Sequence, residues 1–386
     1  MLGFFTTMTN DFPANLAMYD QIMAINFVRQ EIGNFGGDPD KITLFGNSAG
    51  GSDVSAHTYS PLSQNLFHQA IMESGVAQMM IATDNSMSFN QAKTLCNYTK
   101  KMWNSKNFAA LKQCLQSMDY QRFLALENFN VDWNMVVGDD FLPDYPENLW
   151  KKRKNIPVII GTTKDEYAYD EMINLSSGDT KISGYDKAYF KNLLNIDFEY
   201  TDPELSQIAN YLEKVYNDNK TISDTDHVGW FRTIANALTG ALYTANARTE
   251  AKYYLQNNNP NVYLYEFAYF TKIGQVYDFG NAYKPVEHAK ELYFIWMQDW
   301  EWPDDVDNGI VTPQDYAVAD LMGATWTNFA KFGAPFVNQS WTPSKQATFD
   351  YFVINPKPEM KQNYRQFDDY VWNYVIPGYL NGDVSL

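Results

Sequence analysis

Apolar residues recur at Ile22, Ile25, Val28 and Ile32, close to the 3.6-residue repeat of a helix with one buried face. The spacing predicts a helix over Asp20–Asn34, closed by the Gly36-Gly37 pair. After the turn FGGDPDK, the run KITLF (Lys41–Phe45) reads as a short buried strand, and Ala49–Tyr59 as a helix opened by small residues. QAIME (Gln69–Glu73), PVIIG (Pro157–Gly161) and VYLYEFAY (Val262–Tyr269) read as further strands, the last rich in β-branched and aromatic residues. A helix is predicted at Tyr316–Phe332, and helical insertions at Asn90–Glu127 and Tyr185–Gln256. Strands alternating with helices predict an α/β fold built on a mostly parallel sheet. With no Pro/Gly/Ser linker and no internal repeat, residues 1–386 read as a single domain.

The 386 residues carry 29 Lys and Arg against 46 Asp and Glu, a formal charge of −17. No basic block is longer than the short Lys151 to Lys154 patch, so neither phosphate backbones nor anionic lipid surfaces are expected as partners. No apolar run approaches the 18 or so residues of a membrane span. The opening MLGFFTTMTNDF has neither a basic n-region nor a long apolar h-region, so it is not a signal peptide. Cys96 and Cys114 fit no zinc pattern and no C-x-x-C redox pair. Their spacing leaves two buried thiols and a disulfide equally open, the latter worth about 3 kcal/mol. Asn97, Asn174, Asn219 and Asn338 each begin an N-x-S/T glycosylation triplet, about the number that chance gives at this composition.

Gly46-Asn47-Ser48-Ala49-Gly50 fits G-x-S-x-G, between the KITLF strand and the following helix. A turn this sharp strains the serine backbone, and small neighbours remove the side chains that would collide. Ser48 is therefore the candidate nucleophile, and it needs a base oriented in turn by an acid. Of the four histidines, His57 and His68 read as packing or hydrogen-bonding residues and His227 as a capping or solvent-facing one. His288 differs: it follows the VYLYEFAY strand through a loop and precedes a helix beginning near Glu291. Asp165 and Glu166 follow the PVIIG strand, so the order Ser, acid, His is met by Ser48, either neighbouring acid, and His288.

The run from Asp20 to Gly75, DQIMAINFVRQEIGNFGGDPDKITLFGNSAGGSDVSAHTYSPLSQNLFHQAIMESG, resembles the nucleophile region of the type-B carboxylesterase and cholinesterase family. IPVIIGTTKDEY resembles that family's acid segment with the glutamate at Glu166, and VEHAKELYFIW its histidine segment at His288. WTNFAKFGAP and the Trp341 stretch extend the likeness over essentially the whole chain. The resemblance implies an α/β-hydrolase fold, a Ser48-Glu166-His288 triad, a Cys96–Cys114 disulfide, and a secreted or ER-lumenal glycoprotein. It implies acyl transfer on a small-molecule ester, with no cofactor and no metal, and it sets no oligomeric state.

One oxyanion donor is expected at Ala49, directly after the nucleophile. The family's other donors come from an upstream H-G-G loop with no counterpart here, so the resemblance implies a domain that lacks N-terminal strands, read first as a fragment or incomplete gene model of a working esterase and otherwise as a natural short product with impaired catalysis. Asp20 matches a family aspartate whose arginine partner would precede Met1. Asn47 stands where most active relatives carry Glu, which argues against a dedicated acetylcholinesterase, and Tyr167 stands where many carry Gly, which would narrow the deep active-site gorge that the family likeness implies. The rival is a non-catalytic adhesion or scaffold protein of the neuroligin type, which shares the fold but typically lacks a triad member.

Overall fold

The computed structural model describes residues 2–82, 84–125, 133–298, 302–335 and 341–386. They fall into two compact units, one of residues 1–70 and 76–155 and the other of residues 71–75 and 156–386.

In the first unit the long helix α1 (Leu16–Glu31) begins four residues earlier than its apolar spacing suggests and passes into a 3₁₀ turn, Ile32–Phe35. Asn15 fixes the start. Its side-chain amide donates to the Val136 carbonyl (2.8 Å) and its Oδ1 accepts the Val136 N–H (3.0 Å), which holds Asn15 at φ 54° and leaves the helix to begin after it. Val136 belongs to β4 (Met135–Val136), which pairs in parallel with β3 (Ile81–Ala82). Gly36, at φ 81°, ends the 3₁₀ turn in the left-handed region that glycine favours.

β1 runs Thr43–Asn47, two residues later than KITLF suggests, because the Ile42 N–H donates to His68 Nδ1 (3.2 Å). α2 (Ala49–Tyr59) has the expected bounds. Met18, Ala56, Tyr59, Phe141 and Leu142 form one core of this unit. A second packs Leu95, Trp103, Phe108 and Leu111 around a Cys96–Cys114 disulfide. The first helical insertion is broken: its first helix, Ser86–Cys96, stops at Asn97, which sits at φ 51°, and Ala109–Gln116 carries the other cysteine. The end of that insertion, at Glu127, lies outside the described residues.

In the second unit β5 (Val158–Thr163) is buried throughout and pairs in parallel with β6 (Val262–Phe267), Val158 opposite Val262 and Thr163 opposite Phe267. Pro157 has no N–H to donate, so the strand starts after it. β7 (Tyr351–Ile354) extends the parallel set beyond β6, and β8 (Glu359–Lys361) closes it antiparallel. On the other flank β2 (Gln69–Glu73) lies next to β5, and just past its end the Ser74 N–H donates to the Gly161 carbonyl (2.8 Å). β5 and β6 are near-continuous buried runs, as strands covered on both faces require.

The second helical insertion resolves into Lys187–Phe198, Asp202–Val215, His227–Leu238 and Ala245–Gln256, the last two joined by a π-helical turn at Thr239–Thr244. They enclose a core of Trp230, Phe231, Ile234, Phe190 and Leu212. A second core beside the sheet holds Tyr263, Tyr265, Trp326, Trp341 and Phe352, supplied in part by the helix Pro313–Phe332. Among the described residues no helix is long and apolar enough to cross a membrane.

Candidate active site

Ser48 stands between β1 and α2 with φ 58° and ψ −123°, a conformation that L-residues rarely adopt and that costs about 1–3 kcal/mol. Such strain persists only where the surroundings impose it, and Gly46 shows how. A Cβ at Gly46 would lie 2.4 Å from the carbonyl carbon of Gly50, so the turn closes only because position 46 lacks one. Gly50, by contrast, faces open space at its own Cβ position. Ser48 is half-buried, and its carbonyl accepts the Ser52 N–H (3.0 Å) as the first turn of α2. Ala49 is the first residue of that helix, a position whose N–H has no acceptor within the helix.

Glu166 and His288 meet within the second unit. Glu166 sits three residues past β5 and is fully buried. His288 Nδ1 lies 2.6 Å from Glu166 Oε2, with the imidazole side chain 10% exposed. The other carboxylate oxygen, Oε1, accepts Ser74 Oγ–H and the Thr163 N–H, both at 2.6 Å. The backbones also pair, the His288 N–H donating to the Glu166 carbonyl at 3.2 Å.

Burial by itself would raise the Glu166 pKa. The charge of His288 and the hydrogen bonds from His288, Ser74 and Thr163 outweigh it, so the carboxyl falls below its usual range. Burial would likewise lower His288, but the Glu166 charge and hydrogen bond prevail and its pKa rises. The pair is therefore poised as carboxylate and readily charged imidazole, with Nδ1 occupied by the acid. Tyr169 and Tyr243 flank the ring at centroid distances of 6.3 and 5.1 Å, Tyr243 being presented by the π-helical turn. A cavity of about 110 Å³ opens beside His288, lined by Tyr169, Val276, Leu292 and Tyr293 among others.

The neighbouring acid, Asp165, does not face the imidazole: its oxygens accept the Val286 N–H (2.9 Å) and the Tyr283 hydroxyl (3.0 Å). The remaining histidines are engaged elsewhere. His57 is buried between Ser63 Oγ and Gln21 Oε1, each at 2.9 Å, and burial lowers its pKa to about 4. His68 accepts from Ile42, and His227 Nδ1 pairs with the Tyr185 carbonyl at 2.9 Å. Asp20 is exposed on α1.

The sequence reading missed a layer of polar residues behind Glu166. Ser74 also approaches Glu291 Oε1 (3.4 Å), which accepts the Tyr265 hydroxyl (3.1 Å), and Trp326 Nε1 donates to Glu73. Burial, then the charge of Glu166, pushes Glu291 up to about 7. Burial, then Glu291, pushes Glu73 well above the carboxylate range. The signal was a glutamate directly after the apolar Ala70-Ile71-Met72 run of the QAIME strand and a second one three residues after His288.

Cys96 and Cys114 are bonded, with Cα atoms 6.2 Å apart. Asn97 and Asn219 are exposed, Asn174 is half-buried on the helix Ala168–Ser177, and Asn338 lies outside the described residues. Among the described residues no group of three or more His, Cys, Asp or Glu is arranged to hold a metal ion.

The model of the Carboxylesterase family matches residues 1–372. The chain belongs to that family. With membership comes the α/β-hydrolase fold, to which the parallel sheet and its helices conform. Relatives of this carboxylesterase-family chain include human carboxylesterase 5A (28% identical, 98% of this chain and 64% of the relative) and mouse acylcarnitine hydrolase (29%, 87% and 57%). Rat pyrethroid hydrolase Ces2e (28%, 87% and 56%) and human bile salt-activated lipase (28%, 92% and 47%) are also similar. The chain thus spans between 47% and 64% of the length of these four relatives.

Proposed function

We infer that this chain carries a serine carboxylic ester hydrolase activity, with Ser48 as nucleophile, His288 as general base and Glu166 as the acid that orients it. The 2.6 Å contact between Glu166 Oε2 and His288 Nδ1 carries the reading, because it leaves Nε2 as the nitrogen that can accept a proton. The strained Ser48 backbone supports the nucleophile assignment. In this mechanism Ser48 Oγ adds to the ester carbonyl as its proton passes to His288 Nε2. The N–H of Ala49 supports the developing oxyanion, and the imidazolium returns the proton to the departing alcohol. Water then attacks the acyl-serine through the same base and releases the acid. The step requires Ser48 Oγ and His288 Nε2 at hydrogen-bond reach, about 2.6–3.2 Å, with residues 1–386 acting as one domain.

The substrate class is a carboxylic ester, in keeping with relatives named for acylcarnitine and pyrethroid hydrolysis. The disulfide and the exposed Asn97 and Asn219 triplets favour a glycosylated protein of an oxidising compartment, the ER lumen or the exterior.

A fluorophosphonate probe with mass spectrometry tests the reading without requiring turnover. The expected result is an adduct on Ser48 that disappears in Ser48→Ala and slows by roughly 10⁶-fold in His288→Ala. A folded chain that takes up no probe would overturn the reading and favour a non-catalytic binding role.

A further inference from the structure

The base-bearing segment between β6 and the helix Leu292–Trp296 has no regular secondary structure of its own from Ala268 to Glu291. A catalytic histidine on such a segment needs outside support, since misplacement by about 1 Å can cost 10²-fold in rate. The acid-base pair supplies only part of it, through the Glu166 side chain and the 3.2 Å backbone bond to His288.

The rest comes from the residue before the acid. The Asp165 N–H donates to the Val286 carbonyl (2.9 Å), and the Val286 N–H returns a bond to Asp165 Oδ2 (2.9 Å). Asp165 Oδ1 accepts the Tyr283 hydroxyl (3.0 Å), so both carboxylate oxygens are committed to the segment that delivers His288. Tyr283 is anchored in turn against Phe231 and Phe279, with ring centroids 6.0 and 5.7 Å away. Asp165 is itself 2% exposed. A carboxylate that deep is retained only where its hydrogen bonds are satisfied, and here the satisfying groups lie two and five residues before the base.

We propose that Asp165 is a positioning residue for the hydrolytic site: its carboxylate clamps the Tyr283–His288 segment and so sets the reach of the His288 ring. Consecutive residues thereby divide the work, Glu166 holding the ring and Asp165 holding its backbone. The proposal rests on the triad reading for its catalytic consequence, while the clamp itself is a matter of geometry.

Two readouts on the full-length chain keep these apart. The first is the proton NMR signal of His288 Nδ1–H, which a 2.6 Å bond to Glu166 places far downfield and which needs no catalysis. The second is the rate of Ser48 labelling by a fluorophosphonate, analysed as a saturating rate and a half-saturating concentration. Asp165→Ala is expected to broaden or shift the downfield signal and to lower the saturating rate by about 10–100-fold, with little change in half-saturation. Asp165→Asn keeps one acceptor oxygen and should recover most of that loss, and Tyr283→Phe, which removes a single bond, should lower the rate only a few-fold. Signal and labelling that match the unaltered chain in Asp165→Ala would overturn the clamp. So would a Tyr283→Phe chain that is folded and indistinguishable from the unaltered one if Asp165→Ala fails to fold. An unaltered chain that shows the downfield signal but takes no probe would sink the triad reading while leaving the clamp to be judged on the signal alone.

Discussion

Three buried side chains around the Glu166–His288 pair have opposed shifts that bear on how this protein responds to pH. His288 is raised above its usual 6.5 although burial opposes it, because Glu166 stands against it. The charged imidazole therefore contributes stability that is complete below about 6.5 and lost as pH rises through the folded value. Glu291, ordinarily near 4.5, is raised to about 7 by burial and then by Glu166. Between those values the folded chain holds a proton that the unfolded chain has released, so stability again falls as pH rises. Glu166 acts in the other direction, its depressed pKa giving stability above about 4.5 that is lost on acidification. Thermal melts should therefore decline between about pH 5 and pH 8, and Glu291→Gln should flatten that decline. A variant with an unchanged slope would refute the assignment. On the proposed triad, in which neutral His288 activates Ser48, phosphonate labelling should rise with pH around a midpoint above 6.5.

At the level of elements, β5 and β6 place the acid and its supporting residues, and their close approach depends on one glycine. A Cβ on Gly161 would lie 2.0 Å from the ring of Tyr265, the residue opposite it on β6. Tyr265 is fully buried, packs against Trp326 and Trp341, and reaches Glu291 through its hydroxyl. Gly161→Ala should cost about 3 kcal/mol by overpacking, measured as a shift in denaturant midpoint. A midpoint within experimental error of the unaltered chain would show that the ring has room to move. The elements themselves were largely legible: α2 and β2 have the bounds that their apolar runs give, and β5 and β6 differ by only a few residues. Their ends were less so, because side chains from distant segments decide them. Asn15 moves the start of α1 by pairing with Val136, and His68 takes the N–H of Ile42 before β1 begins. β7 and β8 carried no recognisable alternation, and β7 takes its place from β6 and β8 from β7.

For the whole molecule, the cross-link and the charge are the terms that a single residue does not describe. The Cys96–Cys114 bond joins two helices around the Leu95, Trp103, Phe108 and Leu111 cluster, and it closes a loop of separation 18. Replacing both cysteines with alanine should lower stability by about 3 kcal/mol, read as the difference in unfolding free energy under oxidising conditions. The same loss should appear in the unaltered chain on reduction, and no loss in either case would mean that the cluster alone holds these helices. A net charge of −17 favours solubility through repulsion between copies of the chain.

The sequence alone determined what depends on near neighbours. The helical and strand periods follow from side-chain direction, and the G-N-S-A-G turn follows from the need for a small residue at Gly46. The family likeness rests on contiguous runs such as IPVIIGTTKDEY and VEHAKELYFIW. Spacing left open which of two adjacent acids meets His288, since Asp165 and Glu166 lie 123 and 122 residues before it; the family likeness pointed to Glu166, and the tertiary structure supplied the physical reason. There the direction of each side chain at the end of β5 is set by what packs against it. Only the tertiary structure decided that Glu73 and Glu291 are buried beside Glu166 rather than solvated, since burial is a property of the segments that close over a residue and not of the residue itself.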